Sequence, residues 1–269
     1  MTGTIAPDPL SVTDLVLASG FVVASAAASF MLSLGVHRAL LWAAVRMVAQ
    51  LLVVGFVLRI VFGLASPWIT ALTVAVMIAA AAREVGARQE RRLAGPVHVA
   101  IGAASVFIPT VLVTVLALTT ALQPTPWYDP RHAIPLAGIV LGNVMNAASL
   151  TLGATFNAVW HQRAAIEARL ALGDDRFTAL RGVVKQGVRT GLMPTLNTMA
   201  AAGIITMPGI MTGQILAGMD PIAAAQYQIL LMFLLAGGSM IGVTVAALLA
   251  MRRLTDDRHR LRLDRLVRR

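Results

Sequence analysis

Residues 97–122 read Val97-His-Val-Ala-Ile-Gly-Ala-Ala-Ser-Val-Phe-Ile-Pro109-Thr-Val-Leu-Val-Thr-Val-Leu-Ala-Leu-Thr-Thr-Ala-Leu122, without one Asp, Glu, Lys or Arg. A helix needs ~20 mostly apolar residues to cross the hydrocarbon core of a bilayer, and this stretch, interrupted only at Pro109, is long enough. Six others resemble it. They run from about Leu10 to Gly35, about Leu40 to Leu64, Pro67 to Ala82, Ile134 to about Trp160, Leu192 to about Ala217 and about Ala223 to Met251. The whole chain agrees: of 269 residues, 58% are hydrophobic and 13% charged, with a mean hydropathy of +0.78. A soluble domain carries about 25% charged residues. Seven spans take roughly 140 to 180 residues, and the remainder is too short for a catalytic domain of typical size. The expectation is an all-α polytopic membrane protein with about seven transmembrane helices, and not an enzyme.

Charge orients the spans. The formal charge of +10 rests on 21 Arg and one Lys, Lys185. Arg38, the segment from Arg83 to Arg92, the connector bearing Arg163, Arg169, Arg176, Arg181, Lys185 and Arg189, and the eight arginines from Arg252 onward all fall on one side. The opposite side holds only Arg131. The positive-inside rule then predicts an N-terminus outside and a C-terminus in the cytoplasm. No basic start precedes the first span, so it reads as a retained helix, with Ser11 to Asp14 as a capping box. One transmembrane domain is expected over residues 1–254, followed by a basic cytoplasmic tail over 255–269.

Cysteine is absent, which excludes a disulfide framework and thiolate metal sites. Lys185 precedes Gln186, where a P-loop needs Ser or Thr after its lysine, so ATP chemistry is expected on another chain. No cofactor is expected. Nor does the basic charge indicate nucleic acid in so apolar a chain; the bilayer is the expected partner.

The connector His161-Gln-Arg-Ala-Ala-Ile-Glu-Ala-Arg-Leu-Ala-Leu-Gly-Asp-Asp-Arg176 reads as a short helix, a stop at Gly173 and a second amphipathic helix capped by Asp174 or Asp175. One reading is a solvated connector. The other is a coupling helix, a lever seated in a partner, with Glu167, Ala168, Leu172 and Gly173 as its contact residues. Glu-Ala followed by Gly is the spacing of the EAA loop of ABC-transporter permeases, although Met193-Pro194 comes later than that loop's Leu-Pro.

Polar residues inside the spans suggest a path. On a helical wheel Gly142, Asn143, Asn146, Ser149, Gly153 and Asn157 share about a third of the circumference. Such a face serves helix packing, a polar lining, or both. Asn197, Met207, Pro208, Met211 and Gln214 mark the sixth stretch, where Pro208-Gly209 removes a backbone donor and is read as a hinge, a site or a kink. The thioethers there are soft ligands, but methionine also fills packing gaps, so no metal-ligand set is assigned. Arg46 and Gln50 share a face of the second span, with Arg46 near enough to the interface to snorkel.

Three stretches resemble the FetB-type iron-export ABC permeases and their plant aluminium-tolerance relatives: Arg46-Met-Val-Ala-Gln-Leu-Leu-Val-Val-Gly55; Ile134-Pro-Leu-Ala-Gly-Ile-Val-Leu-Gly-Asn-Val-Met-Asn-Ala-Ala-Ser149; and Pro194-Thr-Leu-Asn-Thr-Met199 running on to Met207-Pro-Gly-Ile-Met-Thr-Gly-Gln-Ile-Leu-Ala-Gly218. The resemblance covers roughly residues 38 to 254 and does not include the basic tail. It implies a permease subunit of the bacterial inner membrane that dimerises, serves a separate ATPase subunit and exports a metal, iron first. Two other classes stay open on the residues alone: an ion-coupled secondary transporter and a non-transporting membrane scaffold.

Overall fold

The computed structural model describes residues 11–64, 66–87 and 89–268; Leu10 and Arg88 lie outside them. The chain is an all-α polytopic membrane protein that divides into two units. The first contains α1 (Val12–Met31) and α2 (His37–Leu64), together with Leu216–Met219. The capping box forms as read: Ser11 Oγ accepts from Asp14 N at 3.2 Å, and Asp14 Oδ2 accepts from Ser11 N at 3.0 Å. A tight turn joins the two helices. Gly35 takes φ +73° there, a left-handed angle that glycine adopts without steric cost.

The second unit holds the remaining elements. These are α3 (Pro67–Ala87), β1 (Arg91–Leu93), α4 (Val97–Leu116) with a wider π turn over Ala117–Leu122, α5 (Pro130–His161), α6 (Arg163–Ala171), α7 (Arg176–Ala201), α8 (Gly209–Leu216), α9 (Pro221–Leu254) and β2 (Leu266–Arg268). Asp129 and Asp220 cap α5 and α9, each followed by proline at the first helical position. α4 runs through Pro109 without a break. The proline removes the donor that would serve the Ser105 carbonyl. Gly242 of α9 lies so near that a β-carbon there would stand 3.1 Å from this oxygen.

α5 is the central strut, packed against α3, α4, α7 and α9. Van der Waals contact and close backbone approach, rather than exclusion of water, drive helix association in lipid, and small residues sit at these seams. A β-carbon at Gly187 would collide with the Thr155 hydroxyl. One at Gly191 would collide with the Thr151 hydroxyl and stand 2.5 Å from the Ala147 carbonyl. These pairs run in opposite directions along the two helices, so α7 is antiparallel to α5. Farther along, Thr195 donates to Ser239 of α9 at 3.4 Å.

Six helices among the described residues are long and apolar enough to cross a membrane: α1, α2, α3, α4 with its extension, α5 and α9. The expected sixth span from Leu192 to about Ala217 is not one of them. α7 starts sixteen residues earlier, at Arg176, and stops at Ala201. The chain then turns, with Gly203 at φ +85° and its N–H donating to the Thr206 carbonyl at 2.9 Å. The break therefore precedes Pro208 rather than following it. Pro208 ends the turn, and its carbonyl accepts from Thr212 N at 3.0 Å as α8 begins.

The tail is a second departure. Its composition predicts a basic extension, but it folds back on the bundle. β2 pairs antiparallel with β1, the Leu254 carbonyl accepts from Arg262 N at 2.8 Å, and His259 Nδ1 accepts from Arg176 N at 3.2 Å at the start of α7. The cause is apolar. Leu266 (8% exposed) joins Leu93 and Leu254 in the core.

Gly191→Val overpacks the α5–α7 seam and is expected to destabilise the protein by about 1–3 kcal/mol. Gly182→Ala, where nothing lies within 4 Å, is expected to be neutral or stabilising. Thermal melts followed by circular dichroism distinguish the two; equal melts would refute the close-approach account.

Candidate functional site

The polar face of α5 opens into a cleft of about 570 Å3. Asn146, Ser149, Gly153 and Asn157 form its floor, and Thr190 and Pro194 of α7 form one wall. Gln89 and Glu90, from the α3–α4 connection, stand at its mouth. At 1.5 Å per residue the floor from Asn146 to Asn157 extends about 16 Å along the helix axis. The wheel placed these floor residues on one face because a helix repeats every 3.6 residues. Gln89 is only 2% exposed; its Nε2 donates to the Val85 carbonyl at 3.1 Å, and its Oε1 has no partner. The cleft thus presents amide and hydroxyl groups, an unmet buried acceptor and one carboxylate, Glu90. Among the described residues no cluster of three or more His, Cys, Asp or Glu is placed to hold a metal ion.

Of the expected path residues, the cleft brings together Asn146 and Ser149. Asn143 lies outside it, its Nδ2 donating to the Ile139 carbonyl of its own helix at 3.1 Å. Asn197 is exposed on α7, beyond Pro194. Met207, Pro208, Met211 and Gln214 sit on the turn after α7 and on α8, away from the cleft. α7 runs antiparallel to α5, so this turn lies toward the Pro130 end of α5, whereas the cleft mouth lies toward His161. Arg46 and Gln50 are one turn apart and exposed on α2, in the first unit. The sequence reading missed Gln89, Glu90, Thr190 and Pro194 as lining residues. Gln89 and Glu90 lie within the charged segment after the third span and carried no signal that set them apart from it.

At the end of α5 the connector folds as its composition suggested. α6 is held by Ile166, only 3% exposed, while Glu167, Ala168 and Leu172 are exposed, Leu172 by 88%. Gly173 ends the turn at φ +97°. Asp174 pairs with Arg169 at 2.8 Å, and Asp175 caps α7 by accepting from Thr178 N at 2.7 Å. Beside it, Arg91 stacks over the Trp160 ring at 4.1 Å, tying β1 to the end of α5. The connector thus runs from α6 through Gly173, Asp174 and Asp175 into α7, and α7 is one wall of the cleft.

The profile of an uncharacterised protein family, UPF0014, matches residues 12–255. The chain belongs to this family. Among its relatives, the UPF0014 membrane protein slr1647 of Synechocystis sp. is 39% identical over 73% of this chain and 75% of its own length. The probable iron export permease protein FetB of Escherichia coli K12 is 28% identical over 92% of this chain and 93% of its own. The UPF0014 membrane protein STAR2 of Oryza sativa is 34% identical over 84% and 77%. No solved structure matches the chain. The matched region closes at Thr255, so nearly all of the folded tail lies beyond it.

The Thr178 amide holds the Asp175 carboxyl below the usual carboxylate range. A carboxyl with a lowered folded pKa stabilises the fold fully above its unfolded value of about 3.9 and loses that effect as pH falls through the folded value. Amide exchange at Phe177 to Ala179 is therefore expected to be independent of this group between pH 5 and 8 and to speed up only in strong acid (an Asp175→Ala chain would exchange fast at every pH). Equal exchange in the two chains at pH 7 would remove the cap assignment.

Proposed function

We propose that the chain is the membrane-spanning permease subunit of an ABC transporter. It works as a homodimer in the bacterial inner membrane, beside a separate ATPase subunit, and exports a metal, iron first. The N-terminus lies outside and the C-terminus in the cytoplasm, as the lopsided arginines favour. The observation that carries this reading is that α6 leads directly into α7, one wall of the cleft. Glu167, Ala168, Leu172 and Gly173 form an exposed tip on the arginine-rich side, where an ATPase would dock. The tip continues through Asp174 and Asp175 into α7, whose glycines lock it onto α5. Closure of two ATPases on ATP would push α6, shift α7 along that seam and change the width of the polar cleft. The relative named as a probable iron export permease, aligned over nearly its whole length, supports the cargo class.

Iron(II) favours imidazole and carboxylate ligands, whereas the cleft offers mainly amide and hydroxyl oxygens. A lining of that kind suits an ion passed weakly from group to group, or a chelated ion. Weak holding is an advantage in a path, because a tightly caged ion does not leave.

Two experiments test the reading. Glu167→Arg combined with Gly173→Pro is expected to abolish co-purification of the ATPase and ATP-dependent transport while leaving the chain in the membrane. Retained association would end the coupling assignment. Gly153→Leu fills the cleft at a position where a β-carbon meets nothing within 4 Å. It is expected to reduce efflux of radioactive iron from loaded cells at least tenfold without changing the melt; unaltered iron efflux would remove the cleft from the path.

A further inference from the structure

The folded tail builds a second cleft, of about 610 Å3, on the face where α9 ends. Its floor is apolar: Val97, Ala100 and Ile101 at the start of α4, and Leu249 near the end of α9. Its rim is cationic and carries Arg176 of α7, Arg252 and Arg253 of α9, and Arg265 of the tail. Two carboxylates share the rim, Asp256 and Asp257. Asp256 is already neutralised: it accepts from the Arg258 and Arg260 amides and pairs with the Arg260 guanidinium at 2.8 Å. Asp257 is left against four arginines. Arg265 is fixed by donating to the Arg253 carbonyl at 2.9 Å, and Arg176 Nε is buried in the wall without a partner.

The floor lies at the ends of two membrane-spanning helices and the rim just beyond them. The cleft therefore crosses the level at which hydrocarbon gives way to headgroups. We propose that it binds the anionic phosphate headgroup of a phospholipid, with the start of an acyl chain over Val97, Ile101 and Leu249. Guanidinium groups suit phosphate oxygens because their planar donors bind in pairs. A soluble anion would meet the same arginines but would leave the apolar floor uncovered. Arg265 comes from tail residues beyond the matched family region. An occupied site would draw the tail, α9 and the start of α7 together, one turn from the α6 connector.

The test uses the full chain in detergent, titrated separately with dioleoyl phosphatidylglycerol, dioleoyl phosphatidylcholine and inorganic phosphate, and read by native mass spectrometry and thermal melts. Phosphatidylglycerol is expected to be retained at one per chain in preference to phosphatidylcholine. Arg252→Gln and Arg253→Gln should weaken that binding about fivefold for each arginine removed. Arg131→Gln, at the other end of α5, should leave it unchanged. Asp257→Asn, which removes the remaining like charge, should strengthen it and keeps the test open if the arginine variants fold poorly. Equal retention of the two lipids, or indifference to both sets of variants, would overturn the proposal. Inorganic phosphate that binds and melts like phosphatidylglycerol would overturn the lipid as its source.

Discussion

The second unit depends on how closely α7 and α9 approach α5. In lipid, apolar side chains gain nothing by leaving water, because neither state has any; what holds helices together is dispersion over a close seam and hydrogen bonds across it. Gly187 and Gly191 against Thr151 and Thr155 supply one seam, and Gly238 and Gly242 against Val140 and Val144 supply the other. A methyl group at Gly191 has nowhere to go. These contacts hold α7 against α5 although it carries Arg181, Lys185 and Arg189 exposed on its outward side.

The same packing leaves the cleft. Close approach along Ala147, Thr151 and Thr155 uses one face of α5, and the neighbouring face, with Asn146, Ser149, Gly153 and Asn157, lines the cleft. On the wheel one face could serve packing, lining or both; in the structure Ala147, Thr151 and Thr155 meet α7 while Asn146, Ser149, Gly153 and Asn157 line the cleft. The wall that bounds the cleft is also the helix that receives α6. The helix that follows the α6 connector and the wall of the polar cavity are therefore one element.

Much of the fold was legible. The capping box at Ser11, the proline starts of α5 and α9, the Gly173 stop and the Asp175 cap are local signals, and each forms where its chemistry acts over three or four residues. The sixth apolar stretch does not form one helix, because packing rather than apolar content sets the ends of α7. Residues 192–217 are more hydrophobic than 176–191, yet the glycine contacts that settle where α7 lies begin at Gly187, among its cations. The tail was misread for a related reason. Its arginines dominate the composition, while Leu261, Leu263 and Leu266, which draw it back onto Leu93 and Leu254, are few and separated by charge.

The long spans, their lopsided arginines and the lack of a P-loop follow from the amino-acid order alone, since hydropathy, charge and motif spacing are properties of a linear chain. Which face of α5 packs and which stays open was decided only in three dimensions, because it depends on where α7 lies. So was the gathering of Arg176, Arg252, Arg253 and Arg265 around one apolar floor. Those residues are far apart along the chain and meet only because the tail turns back. The +10 that marked orientation in the sequence thus becomes, in the fold, a cleft with an anion-binding rim.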